Sequence, residues 1–132
     1  MSLHALIDTD CMIHYLHGHT AIVARLDALQ PRGLALSIIS LAELYEGVSY
    51  SRDPHGDAQD LTDFLRGVTV LGLDTDIATI FGRERGRLRA AGMLIGDFDL
   101  LIGATALHHN LTLLTNNRSH FERMNGLRME SL

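Results

Sequence analysis

The sequence contains no lysine, no tryptophan, a single cysteine, and only four phenylalanines and three tyrosines among 132 residues. Without lysine, P-loop phosphate binding, Schiff-base chemistry and the receiver-type phosphoaspartate switch are excluded, because each has an obligatory lysine. The lone Cys11 has no partner for an internal disulfide, in keeping with a reducing compartment. Seven aromatics limit any readout of single-stranded bases by stacking. No run of about 18 uncharged apolar residues is present, and Met-Ser-Leu-His leads into a strand-like run with no basic n-region or cleavage site. A soluble, cytoplasmic chain with no membrane association is therefore expected.

What is present fits one domain spanning residues 1–132. At 46% apolar composition, a chain of this length buries roughly two-thirds of its unfolded surface. All eleven basic residues are arginine, and net charge is −5. An acidic protein binds nucleic acid poorly without local help, since phosphate affinity comes mainly from cationic side chains displacing counterions. Any such role must rest on particular arginines and on metal.

Apolar runs alternate with amphipathic segments. Leu3 to Ile7 reads as a short buried strand that stops at Asp8. A helix from Thr9 or Asp10 to Leu16 follows, closed by Gly18, then a second with Ile22, Val23, Leu26 and Leu29 on one face, ended by Pro31-Arg32-Gly33. Leu34 to Ile39 reads as strand two, and Ser40 opens a helix carrying Leu41, Leu44, Tyr45 and Val48. Ser51 to Asp57 is linker-like. Helix Ala58 to Arg66, strand Val68 to Leu73, helix Thr75 to Ala91, helix Phe98 to His109 and strand Leu111 to Leu114 come next. A turn around Phe121 and a fifth strand near Leu127 to Met129 complete the pattern. Such alternation predicts a three-layer α/β/α sandwich with a mostly parallel sheet of four to five strands. Ligands of such sheets sit outside the carboxyl ends of the strands.

Three acids occupy or adjoin that edge. Asp8 follows the first strand, where it either caps the next helix or sits partly desolvated as a ligand. Glu43 lies three residues after Ser40, so a capping box competes with a functional role in the first turn of its helix. In GDFDLLIGATAL, Asp97 is the better N-cap and Asp99 falls inside the first turn, with Asp97 held in reserve as a candidate. The small residues Gly103, Ala104 and Ala106 let this helix approach the sheet and bring Asp99 toward Asp8. Three clustered carboxylates repel one another without a cation, and oxygen ligation suits Mg²⁺ or Mn²⁺. Phosphodiester hydrolysis is the natural chemistry of such a site.

Four segments, LIDTDCMIHYL, ISLAELYEGV, LRAAGMLIGDFDLLIGATAL and LTLLTNNRSHFERMNGLRME, resemble in series the PIN-domain ribonucleases, specifically the VapC toxins of toxin–antitoxin pairs. The resemblance spans nearly the whole chain. It implies a parallel-sheet α/β/α fold with Asp8, Glu43 and Asp99 as the acidic metal site, Asp99 rather than Asp97 matching the acid immediately before the family's Leu-Ile-Ala-type helix. It also matches Thr115 to a threonine after the fourth strand that orients a ligand or phosphate, and Asn117 to a substrate-orienting position. Many relatives carry a fourth acid where this chain has Asn116, Asn117 and His120, which leaves a second metal in doubt. The implied activity is endonucleolytic cleavage of RNA, often transfer or ribosomal RNA, restrained by a VapB antitoxin whose basic tail suits the net charge of this chain; the family commonly dimerises within the larger complex.

Other features have plainer readings. Arg83, Arg85, Arg87 and Arg89 lie in one helix but cannot share one face, so some serve phosphate contacts, with Arg118, and others a solvated surface. His14 and His17 are one turn apart without a third zinc ligand of matching spacing. Asp8-Thr9-Asp10 admits a different enzyme, a haloacid-dehalogenase-type phosphatase using Asp8 and Asp10. A non-catalytic PIN-like module for RNA or protein, with the acids serving only as caps, is the non-enzymatic alternative.

Overall fold

A computed structural model describes residues 2–132. Among them, five strands alternate with seven α-helices: β1 (Ala5–Ile7), α1 (Thr9–Leu16), α2 (Thr20–Leu29), β2 (Leu34–Ser37), α3 (Ile38–Ser49), α4 (Pro54–Leu65), β3 (Thr69–Leu71), α5 (Thr75–Ala90), α6 (Asp97–His108), β4 (Thr112–Leu114), α7 (Arg118–Phe121) and β5 (Met129–Glu130). The strands form one wholly parallel sheet in the order β3-β2-β1-β4-β5. The predicted α/β/α sandwich is thus the architecture, at the upper end of the expected strand count. Among the described residues no helix is long and apolar enough to cross a membrane.

The sheet is covered on both faces, so its central strands are buried on both sides and read as unbroken apolar runs. Side chains nevertheless alternate between two cores. Ala5, Ile7, Leu34 and Leu36 pack with Met12, Leu26, Leu44 and Leu61 from α1 to α4. Leu6, Ala35 and Leu113 point the other way, against Leu88, Leu100, Ile102 and Phe121 from α5, α6 and α7. The chain winds from β1 through β2 to β3, then crosses to β4 on the far side of β1. The strand order therefore reverses between β1 and β4, and connections leave these two strands toward opposite faces, opening a crevice at their carboxyl ends.

Several boundaries differ from those the sequence suggests, each for a local reason. Strand two ends at Ser37, whose hydroxyl accepts the Ile39 N–H and caps α3. Ser40 is consequently inside the helix, fully buried, and the Ser40–Glu43 capping box does not form. The linker-like stretch is mostly helix: Asp53 caps α4 through the Gly56 N–H and Pro54 occupies its first turn, where the missing N–H costs nothing. The fifth strand lies at Met129–Glu130, slightly later than predicted. Gly103 faces the Met124 sulfur and Leu127, so its missing side chain admits the segment leading to β5.

That segment is also held by a buried acid. Glu84 on α5, 2% exposed, takes both Nε and Nη2 of Arg87 at 3.0 and 3.1 Å and accepts the Asn125 N–H at 2.7 Å. Arg87 reaches on to the Arg123 carbonyl at 2.6 Å. The hydrogen bonds from Arg87 hold the Glu84 carboxyl below its usual range, outweighing burial. A lowered pKa contributes stability that is present above the unfolded value, about 4.3, and lost as pH falls through the folded one. Glu84→Gln is expected to lower Tm near neutral pH by about 5–10 °C. It should also flatten the loss of Tm below about pH 4.3, as read by thermal melts across a pH series.

Candidate functional site

At the reversal point, the residues that follow β1 and β4 meet. Asp8 has extended backbone and is 3% exposed; its Oδ1 accepts the Thr9 N–H at 2.8 Å, capping α1. Its Oδ2 accepts the hydroxyl of fully buried Thr115 at 2.8 Å. Capping and site membership are therefore not alternatives for Asp8, because each oxygen has its own donor. The Thr115 oxygen in turn accepts the Asn117 N–H at 2.9 Å, turning the chain into α7.

Glu43 enters from α3, half-buried. Thr9 donates its hydroxyl proton to Glu43 Oε1 at 2.8 Å and lies 2.9 Å from the Ser40 oxygen. A hydroxyl has one proton, so Thr9 accepts from Ser40 while it donates to Glu43. Ser40 thus belongs to a buried Ser40–Thr9–Glu43 relay rather than to a cap. Sequence reasoning missed Thr9; its place immediately after Asp8 was the available signal.

Asp99 projects from the first turn of α6, partly exposed, with Oδ2 at 3.2 Å from His120 Nδ1. The same ring nitrogen is 3.0 Å from Asn117 Nδ2. Asp97 does not join this group: it is exposed, pairs with Arg85 at 2.9 Å, and is the first helical residue, Gly96 being the N-cap of α6. The arginines of α5 divide accordingly. Arg85 and Arg87 are engaged by Asp97 and Glu84, whereas Arg83 and Arg89 are exposed. His14 and His17 are exposed, as a surface reading predicts.

The electrostatics single out this edge. Burial pushes the Asp8 carboxyl up to about 6; the Thr115 hydroxyl opposes the shift, and the charges of Asp10 and Asp99 add to it. Glu43 is raised as well, first by burial against the opposing Thr9 hydroxyl, then by Asp99 and Asp10. Among the described residues no arginine pairs with Asp8, Asp10 or Glu43, and Asp99 meets only His120. Uncompensated carboxylates of this kind fit a divalent cation, which relieves both the repulsion and the burial cost.

A second, tighter group lies elsewhere. Ligand atoms of Asp74, Asp76 and His108 all fall within 4.8 Å of one another, a set compatible with a divalent metal, whereas Asp8, Glu43 and Asp99 are more widely spaced. That group sits at the C-terminal end of α6, about 13 Å along the helix axis from Asp99. Asp74 is committed there as the N-cap of α5 through the Ile77 N–H at 2.9 Å. No local pattern marks these three as neighbours, because only the packing of α5 on α6 joins them.

Thr115→Val removes a hydroxyl that serves two partners at once, buried Asp8 and half-buried Asn117. It is expected to destabilise by about 1–3 kcal/mol, leaving Asp8 Oδ2 and the Asn117 N–H unsatisfied. Thr115→Ser should retain most of that stability, as measured by urea denaturation.

A family model described as PIN domain matches residues 5–127. The chain is 31% identical over 128 residues to ribonuclease VapC2 of Rickettsia felis, covering 96% of each protein. It is likewise 31% identical over 125 residues to the tRNA(fMet)-specific endonuclease VapC of Shigella flexneri, covering 95% of each. Among solved structures, a chain of VapBC2 from Rickettsia felis bound to a promoter DNA fragment superimposes with a TM-score of 0.91 at 30% identity, covering 98% of this chain and 99% of that one. A chain of DNA-bound VapBC from Salmonella typhimurium gives 0.90 at 30% identity, with 98% of both chains covered.

Proposed function

The chain belongs to the PIN-domain family, within its VapC group, and from that premise we propose that it is a Mg²⁺- or Mn²⁺-dependent endoribonuclease toxin, acting in the cytoplasm on transfer or ribosomal RNA. Family membership sets aside the haloacid-dehalogenase-type phosphatase reading of Asp8 and Asp10. The observation that carries the proposal is the uncompensated carboxylate group at the strand reversal, with Asp8 buried and both of its oxygens fixed.

Asp8, Glu43 and Asp99 would hold the cation. When bound, a divalent cation supplies a more acidic water and offsets charge building on the phosphate. The protein's part is to fix the oxygens beforehand. Thr9 and Thr115 orient Asp8, and Thr9, backed by Ser40, orients Glu43. Asn117 lies beside Asp99 and His120, where its amide can orient a phosphate oxygen. Arg83, Arg89 and Arg118 are exposed and are candidates for phosphate contacts on a chain of net charge −5.

A VapB-type antitoxin is the proposed partner. An apolar groove lined by Ile13, Leu16, Leu44 and Val48 runs up to Glu43, with Asp57 and Asp60 at its rim. Apolar anchors followed by a basic end would fill it and neutralise the carboxylates. The exposed Met93, Leu94 and Phe98, close together in sequence beside Asp99, support a homodimer within that larger complex.

Asp8→Asn and Asp99→Asn each remove a ligand charge with little change of shape. Both are expected to abolish growth arrest on expression and to reduce Mg²⁺-dependent cleavage of total RNA by more than about 100-fold, beyond the usual cost of losing an outer hydrogen-bond partner. Full toxicity in both variants would sink this reading; a non-catalytic module would show neither cleavage nor divalent-dependent stabilisation.

A further inference from the structure

A cavity of about 320 Å³ lies beside the carboxylate edge, lined by Asp10, Cys11, His14, Asn116 and Asn117. Its walls are the start of α1 and the turn that follows β4, the two segments that the Asp8–Thr115 bond joins. Its volume falls at the lower end of the range for pockets that take small molecules, about 300–1,000 Å³. None of the three carboxylates assigned to the cation lines it.

The polar groups facing this cavity are few and unengaged. Asp10 is exposed, and among the described residues no cation pairs with it. The N-cap of α1 is Asp8, so Asp10 is not required to start the helix, and the helix dipole favours a surface acid in the first turn only weakly. Its charge moreover adds to the repulsion on Asp8 and Glu43. Across the cavity, Asn116 Oδ1 accepts the Leu132 N–H at 2.9 Å, which orients the amide and leaves its NH₂ group free to donate. His14 follows Asp10 by one turn on the same face of α1.

A phosphate does not suit this cavity, because Asp10 would repel it. A neutral ring bearing N–H groups does. Among the four RNA bases, only guanine presents two neighbouring N–H donors on one edge, N1–H and the N2 amino group, with the O6 acceptor beside them. A carboxylate takes such a pair as it takes the two parallel N–H groups of a guanidinium, and an amide NH₂ serves O6. That edge is open to a protein in unpaired RNA, where the base can also lie against a ring such as that of His14.

We infer that this cavity holds an unpaired guanine next to the scissile phosphate, with Asp10 accepting from N1–H and N2 and Asn116 donating to O6. The inference rests on the RNA-cleaving carboxylate site proposed above. It gives Asp10 a role in choosing where the RNA is cut rather than in holding the cation, and accounts for an extra acid beside a site already crowded with them.

The test maps the 5′ ends that the purified full chain generates from total RNA with Mg²⁺ present. Guanine should be enriched at one fixed position beside the cut for the wild type and not for Asp10→Asn. Inosine lacks the N2 amino group, so placing it at that position in a short unpaired oligonucleotide removes one bond to the carboxylate. The exchange should lower kcat/KM about 10-fold for the wild type and less than about 3-fold for Asp10→Asn, whose amide is uncharged. Thermal melts establish that the variant is folded. Three results would overturn this inference and leave the carboxylate site intact: no fixed guanine in the wild-type profile, a guanine preference that survives Asp10→Asn, or an equal loss of cleavage at every sequence in Asp10→Asn, which would make Asp10 a cation ligand. Absence of Mg²⁺-dependent cleavage by the wild type would overturn both.

Discussion

A carboxylate buried at the one place where the sheet changes direction is the constraint around which this molecule is arranged. Two adjacent parallel strands, β1 and β4, send their continuations to opposite faces, and the gap between those continuations is where Asp8 sits. Taking a charge out of water is expensive unless donors replace the solvent. Here the replacements are a main-chain N–H from the helix that leaves one strand and a hydroxyl from the residue that ends the other. The Asp8–Thr115 bond thus fastens the two halves of the winding at their junction, and the site and the fold share that fastening.

From that point the polar network spreads without interruption. Thr9 links the Asp8 neighbourhood to Glu43 and Ser40 on α3, while Thr115 links it to Asn117, then His120 and Asp99. Hydroxyl groups do the connecting, since a hydroxyl both donates and accepts. Among the described residues, no side-chain N or O atom is left buried without a partner. The acids nonetheless keep their repulsion. Donors to individual oxygens fix geometry, but only a positive charge removes the mutual cost.

Much of this was readable in the residues. The abrupt halts of apolar runs at Asp8 and Thr115 mark strand ends, and alternation of runs with amphipathic segments yields a parallel sheet. What local patterns could not settle was competition between neighbouring candidates for one job. Ser37 and Ser40 both suit a helix start, and burial decided in favour of Ser37 because Ser40 has a buried partner in Thr9. Asp97 and Asp99 differ by two residues, and the partner of Asp97 is Arg85, on another helix. Pro54 and Gly56 signal a turn in sequence but begin a helix once Asp53 caps it. Contacts between distant segments, such as Glu84 with Asn125 or Asp74 with His108, leave no periodic trace at all.

The stretch from Thr115 to Asn125 is moored at both ends. Upstream, the sheet and the Asp8 carboxylate hold Thr115; downstream, Glu84 holds the Asn125 N–H, and Phe121 is sunk in the core between them. Side chains facing the crevice from this span are accordingly positioned by anchors to which they contribute little. Such a span works as a cassette: exchanging one outward residue alters the chemistry presented to the crevice while the supports stay as they were. The fold therefore separates the supports of this span from the side chains it presents, and places those side chains directly against the carboxylate edge.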